Sequence, residues 1–161
     1  MTIFLKGKVL DMKEYEINAQ TLAVIPVKEN KTRIIEMNKE LMVNLPCREI
    51  IDNSCKFFGS SLEGRVNGTK TLTGITHKSP IIIEESKKII FFPTKSSRKS
   101  TCCWISYNNI LKYEDILEGV LITFSCGKQI KLGISYTIID NQVLRSTRLE
   151  SVLTKRISEF I

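Results

Sequence analysis

The stretch GVLITFSCGKQIKLGISYTIIDNQVLRSTRLESVLTKRISEF (Gly119–Phe160) decides the fold class, because the spacing of its apolar residues changes partway along it. Gly119 to Cys126 and Gln129 to Ser135 read as strands, with Gly127 turning one into the other as a hairpin. From Ser135 the period becomes 3.6. Ile139, Val143, Leu149, Leu153, Ile157 and Phe160 follow steps of three and four once Ser146 is admitted to the stripe, which describes an amphipathic helix over about 137–160. Thr137 and Asp140 supply a Thr-x-x-Asp start signal, and Arg148 and Lys155 fall on the wet face.

Upstream, the chain reads as short strands separated by turn residues: Tyr15 to Asn18, Thr21 to Lys28, Thr32 to Met37 and Leu41 to Asn44. Pro46 opens a short helix to Ser54, since proline is tolerated in a first turn. In FFGSSLEGRVNGTK the glycines at 59, 64 and 68 interrupt the chain too often for a regular element, so a loop or bulged strand is expected. Strands resume at Thr69 to His77, Pro80 to Glu84, Lys88 to Phe92 and Cys102 to Tyr107, with PTKSSRKST as an exposed loop. The sum is one α+β domain over 1–161: a mixed or antiparallel curled sheet, or partial barrel, closed by one long C-terminal helix.

At 161 residues, with 42% hydrophobic and 25% charged, the chain is long enough to bury a core without disulfides or metal. Lys6, Lys8 and Asp11 break the start before a secretory apolar stretch builds up, and no apolar run nears the roughly 18 to 20 residues of a membrane helix. A cytoplasmic protein without membrane contact is expected. Five cysteines, an odd set without CxxC spacing, suit reduced and mostly buried thiols.

The charge is unevenly spread. Residues 56–112 hold ten Lys and Arg against three Glu, an excess of seven that equals the net charge of the whole chain, +7. Residues 1–55 balance at eight against eight and residues 113–161 at six against six. A localised positive segment points to an anionic partner, above all a nucleic-acid backbone. Sheet-based readers present such residues from strands or loops, whereas a helix-turn-helix is disfavoured with only one strong helix in the reading.

Catalytic chemistry finds little support. The single histidine, His77, has no local signature that pairs it with a cysteine, and a closed zinc site lacks ligands. Cys102 and Cys103 point to opposite faces if they lie in a strand. The glycines at 59, 64 and 68 lack the GKS or GKT ending of a phosphate loop. No catalytic residue, metal or cofactor is expected, and the chain does not read as an enzyme.

The segments SCKFFGSSLEGR (54–65), ITHKSPI (75–81), FFPTKSS (91–97), WIS (104–106), ITFSCGK (122–128), ISY (134–136) and NQVLRSTRL (141–149) resemble, in order and spacing, the competence transcription factor family ComK of Gram-positive bacteria. The resemblance covers roughly residues 14–153. It implies a DNA-binding activator of DNA-uptake and transformation genes that recognises paired boxes, an A-tract followed by a T-tract, largely through the minor groove. It also implies a homodimer or tetramer on DNA, with RNA polymerase and a Clp-protease adaptor as further partners. Charge and loop context make Arg65, Lys95, Arg98 and Lys99 the preferred contacts, with Lys56, Lys70 and Lys78 as phosphate anchors. Longer family members continue into a tail tied to adaptor-dependent proteolysis and higher assembly; this chain ends at Ile161, so tail-dependent control is not implied for it. The alternative is a shortened relative that acts by protein contacts, sequestering a full-length activator or its adaptor.

Overall fold

The computed structural model describes residues 3–5, 8–10 and 12–160. In chain order these form β1 (Ile3–Leu5), β2 (Lys8–Leu10), β3 (Thr21–Lys28), β4 (Lys31–Glu36), β5 (Glu40–Val43), α1 (Cys47–Phe57), α2 (Leu62–Thr73), β6 (Ile81–Glu84), β7 (Ile89–Pro93), β8 (Trp104–Ser106), β9 (Ile110–Ile116), β10 (Gly119–Phe124), β11 (Gln129–Leu132) and α3 (Tyr136–Ser158). Eight strands make one sheet in the order β2-β1-β5-β4-β3-β8-β7-β6, and β9, β10 and β11 make a second, three-stranded meander. The pairs of strands are antiparallel. The large sheet has two jumps in its order: β1 pairs with β5, and β3 takes β8 as its second neighbour, with Ala23 opposite Ile105 and Val24 opposite Trp104. Helices α1 and α2 carry the chain across to the β6 edge before it returns.

Runs such as IIIE in β6 and IIFFP in β7 show no polar alternation because the large sheet is covered on both faces. Val24, Ile34, Ile81, Phe91 and Trp104 face α1 and α2, where Ile50, Ile51 and Cys55 meet them. Their neighbours Ala23, Ile35, Phe92 and Ile105 face the other way, against Val120, Ile122 and Phe124 of the meander and Ile139 of α3. A smaller cluster joins Ile82 and Ile90 to Leu149 of α3, with Leu72 of α2 and Leu153 packed against it. Trp104, Phe91, Phe92 and Phe124 are fully buried. Each contributes about 1.5–3 kcal/mol relative to exposure, more than a surface ion pair at about 0–1 kcal/mol, so apolar packing holds the scaffold.

The α+β class and the closing C-terminal helix agree with the sequence reading; the sheets do not close into a barrel. Three other expectations change. FFGSSLEGRVNGTK and the expected strand from Thr69 to His77 contain α2: Leu62, Val66, Thr69 and Thr73, spaced at four, three and four, turn inward, and glycines 64 and 68 lie within the helix. Ser61 caps it by accepting from the Gly64 N–H at 2.9 Å, Asp52 accepts from the Leu62 N–H at 2.9 Å, and Gly74 closes it in a left-handed conformation. Because α1 and α2 are consecutive helices joined by residues 58–61, the count of one helix no longer argues against a helix-turn-helix. Tyr15 to Asn18 is not a strand; it is tied down by side chains, the Ile17 N–H donating to Ser54 Oγ and the Tyr15 hydroxyl to Glu36.

Strand β9 is absent from the sequence reading because its half-buried residues, Ile110, Tyr113 and Ile116, recur every third position across a register shift. Helix α3 begins at Tyr136 with Ser135 as its cap, accepting from the Ile138 N–H, while Asp140 instead accepts from the Tyr113 hydroxyl at 2.6 Å and ties β9 to the helix. Four cysteines are buried and Cys126 is exposed; Cys102 and Cys103 enter the cores on opposite sides of the large sheet. Among the described residues no helix is long and apolar enough to cross a membrane.

Two glycines separate necessity from tolerance. An added Cβ at Gly68 meets nothing within 4 Å, so Gly68→Ala is expected to stabilise the protein by about 0.5–1 kcal/mol through helix propensity. At Gly119 the same atom lies 2.1 Å from the Leu132 carbonyl oxygen, and Gly119→Ala is expected to destabilise by about 1–3 kcal/mol. Urea unfolding midpoints check both signs.

Candidate nucleic-acid interface

Loop 94–101 stands out from the large sheet as a short ridge. Its base is closed by the Thr94 N–H donating to the Cys103 carbonyl at 2.9 Å and the Cys103 N–H donating to Thr94 Oγ1 at 3.0 Å. Within it the Lys99 N–H reaches the Ser96 carbonyl and Lys95 Nζ donates to Thr101 Oγ1 at 3.1 Å. Arg48, on the first turn of α1, donates from Nη1 to Ser97 Oγ at 2.9 Å and braces the ridge from outside. These bonds fix the backbone and leave Arg98 and Lys99 exposed at the tip.

A cleft lies on each side of the ridge. The larger, about 620 Å³, separates it from α2 and from the segment Thr76–Ser79, and Arg48, Lys78 and Arg98 line it together with one carboxylate, Glu63. The smaller, about 220 Å³, is lined by Arg48, Arg98, Lys99 and Glu29. Trp104 forms part of the wall of both. Two basic residues, Arg48 and Arg98, thus border both depressions.

Helix α3 anchors the far wall from behind. Gln142 is 3% exposed, and its Nε2 donates to the Lys78 carbonyl at 2.9 Å and to the Pro93 carbonyl at 2.6 Å. Arg145 Nη1 donates to the His77 carbonyl at 2.6 Å. Between these two anchored carbonyls Lys78 takes a left-handed backbone (φ 49°), uncommon for a residue with a Cβ and sustained here by its neighbours' bonds. Next to it Ser79 is buried, and its Oγ has no hydrogen-bond partner among the described residues, a condition that costs about 1–3 kcal/mol.

The sequence-derived candidates do not all meet at this ridge. Lys78, Lys95, Arg98 and Lys99 gather on or beside it. Lys56 is paired with Asp52 at 2.9 Å, one helical turn back on α1. Arg65 is 14% exposed and bonded to Glu85 at 2.8 Å, beside Phe58 and Ile157 rather than in the ridge clefts. Lys70 stands exposed on α2. Arg48 was not a candidate because it precedes the basic segment, in a stretch whose charges balance; only its position at the start of a helix marked it.

Burial pushes the Cys55 thiol up to about 12 and Cys103 up to about 11, and raises Cys47 and Cys102 as well. These sulfurs are therefore protonated at neutral pH and act as small apolar groups. The hydrogen bond from the Leu62 N–H, then the bond from Lys56, holds the Asp52 carboxyl below the usual carboxylate range.

A sequence profile described as "ComK protein" matches residues 12–158. The competence transcription factor of Bacillus subtilis (strain 168) is 39% identical over 150 residues, which cover 91% of this chain and 78% of that protein. No solved structure matches the chain.

Two stability tests follow from the anchors. Gln142→Leu leaves two carbonyls unpaired and is expected to cost about 2 kcal/mol or more, with amide exchange in 76–79 and 94–101 accelerating before that of β3 and β4; unchanged exchange there would overturn the role given to Gln142. Asp52→Ala is expected to cost about 1 kcal/mol at pH 7 through the lost α2 cap. Since the native pKa is depressed, this contribution is present above the unfolded value of about 3.9 and disappears as pH falls through the lower native value. The gap between wild type and Asp52→Ala in a pH series of urea titrations should therefore close on the acid side only.

Proposed function

The chain belongs to the ComK family, and on that premise we propose that it is a transcriptional activator of competence genes that binds double-stranded DNA. The observation that carries this reading is the braced ridge, with Arg98 and Lys99 at its tip and Lys78, Lys95 and Arg48 around it. A rigid loop ending in an arginine suits a narrow A-tract minor groove, whose negative potential is strongest where the two phosphate rows approach. Arg98 enters the groove, and Lys95, Lys99, Lys78 and Arg48 meet the phosphates on either side. Lys70 on α2 serves as an outer phosphate anchor. Lys56 and Arg65, which are engaged with Asp52 and Glu85, serve local structure rather than contact. Recognition of paired A-tract and T-tract boxes calls for two or more copies of the chain on one site; contacts with RNA polymerase and a Clp-protease adaptor belong to the same proposal.

Helix α3 is not the reading element. Its stripe Ile139, Gln142, Ser146 and Leu149 is buried against the sheets, and it supports the ridge from behind. A second reading, action through protein contacts on a full-length activator or its adaptor, is favoured by Leu144, Ile157 and Phe160, which stand exposed along and just beyond α3.

An anisotropy titration on an A-tract/T-tract duplex distinguishes the two. Binding is expected to weaken with salt at about −0.9 per phosphate contact in log–log slope, or about −4 for four to five contacts. Arg98→Glu with Lys99→Glu is expected to reduce affinity by more than about tenfold without shifting Tm, while Arg148→Glu leaves it nearly unchanged. Equal affinity for mixed-sequence DNA would remove the minor-groove part, and absence of binding would favour the protein-contact reading.

A further inference from the structure

We propose that the larger cleft beside the ridge is a seat for a single phosphate group, held by the Arg48 guanidinium, the Lys78 ammonium and the hydroxyl of Ser79, with Arg98 at its rim. Three cationic side chains from three separate segments, α1, loop 94–101 and the Thr76–Ser79 segment, converge on this one cleft, against a single carboxylate, Glu63. Each segment is held in place: Arg48 by its bond to Ser97, loop 94–101 by Thr94 and Cys103, and the Lys78 backbone by Gln142. A site assembled before the ligand arrives loses little conformational freedom on binding, which is the condition under which charge-assisted hydrogen bonds hold phosphate well.

Ser79 is the second and independent observation. It forms part of the cleft wall, is 6% exposed, and its Oγ has no partner among the described residues. Buried hydroxyls are nearly always hydrogen-bonded. The Oγ itself is covered, so Ser79 reaches an oxyanion in the cleft by a turn about its Cα–Cβ bond, and the oxyanion then supplies the acceptor it lacks. Inorganic phosphate, a nucleotide phosphate and a phosphate of the DNA backbone share this chemistry. For the last of these sources the proposal rests on the DNA-binding reading; for the others it does not.

Inorganic phosphate and pyrophosphate are titrated at low ionic strength against the whole chain, with Tm and calorimetric binding as readouts, and the DNA salt slope is measured on the same proteins. Ser79→Ala is the diagnostic variant because it acts in opposite directions: removal of an unpaired buried hydroxyl raises Tm, while phosphate affinity falls by about tenfold. A purely structural serine would not separate the two. Arg48→Gln lowers phosphate affinity, and Glu63→Gln raises it.

If the seat holds a backbone phosphate, Arg48→Gln also flattens the DNA salt slope by about 0.9. Phosphate binding with an unchanged DNA slope assigns the seat to a free phosphate or nucleotide. Phosphate binding by a protein that does not bind DNA leaves this proposal standing and removes the DNA-binding reading. Conversely, wild-type DNA binding with no response to phosphate, and Ser79→Ala and Arg48→Gln indistinguishable from wild type in both assays, overturns the phosphate seat and leaves the DNA-binding reading intact.

Discussion

The carboxamide of Gln142 is the contact on which both walls of the basic ridge depend. One nitrogen donates to the carbonyl of Lys78 and to that of Pro93, so the segment that carries Lys78 and the root of loop 94–101 are held to the same point on α3. An amide buried without such partners would be unfavourable by several kcal/mol, at roughly 2–7 in transfer experiments; with both satisfied, it fixes geometry that apolar packing alone cannot. Ser146, one turn on, donates to the Gln142 carbonyl at 2.8 Å and packs at the same buried stripe. A helix whose outer turns are ordinary apolar packing thus carries two polar residues at its centre, where the ridge is attached.

The basic residues of the middle third fall into paired ones, ones gathered at the ridge, and Lys70, Lys87 and Lys88 elsewhere on the surface. Lys56, Arg65 and Lys112 stand within 3 Å of Asp52, Glu85 and Glu114. Those pairs are locally neutral and, beyond a Debye length of about 8–10 Å, contribute little to the potential seen by a partner. Arg98, Lys99 and Lys78 are exposed without such a pairing among the described residues, and they cluster with Arg48. The densest cluster of unpaired positive charge therefore lies at the two clefts, with Lys70, Lys87 and Lys88 apart from it.

Much of the fold was legible because it rests on local signals: β3, β4, β5, β6, β7, β10, β11 and α3 lie within a few residues of their expected places. The failures share a physical cause. Helix α2 pays for two interior glycines with propensity, and those glycines hid a four-three-four spacing together with a Ser61 cap and a Gly74 stop. Its stability comes from tertiary contacts, Leu62 in one core and Leu72 against another, and these cannot be read from a window of sequence. The ridge itself was legible as a basic, polar loop. Its bracing was not, since Arg48, Gln142 and Arg145 lie 49, 49 and 68 residues from the groups they bind.

The pairing of β3 with β8 also sets an order of events during synthesis. Ala23 finds Ile105 only after 82 further residues have been made, which at ribosomal rates of 5–20 residues per second takes about 4–16 s. Over that interval the hairpin of β3 and β4 presents an open edge built from TLAVIPVK, apolar and rich in β-branched residues. Pro26 sits within that strand and cannot donate to a foreign partner, and Lys28 ends it with a charge. The nascent chain thus carries its own guard against strand addition at the edge that its topology obliges it to leave open longest.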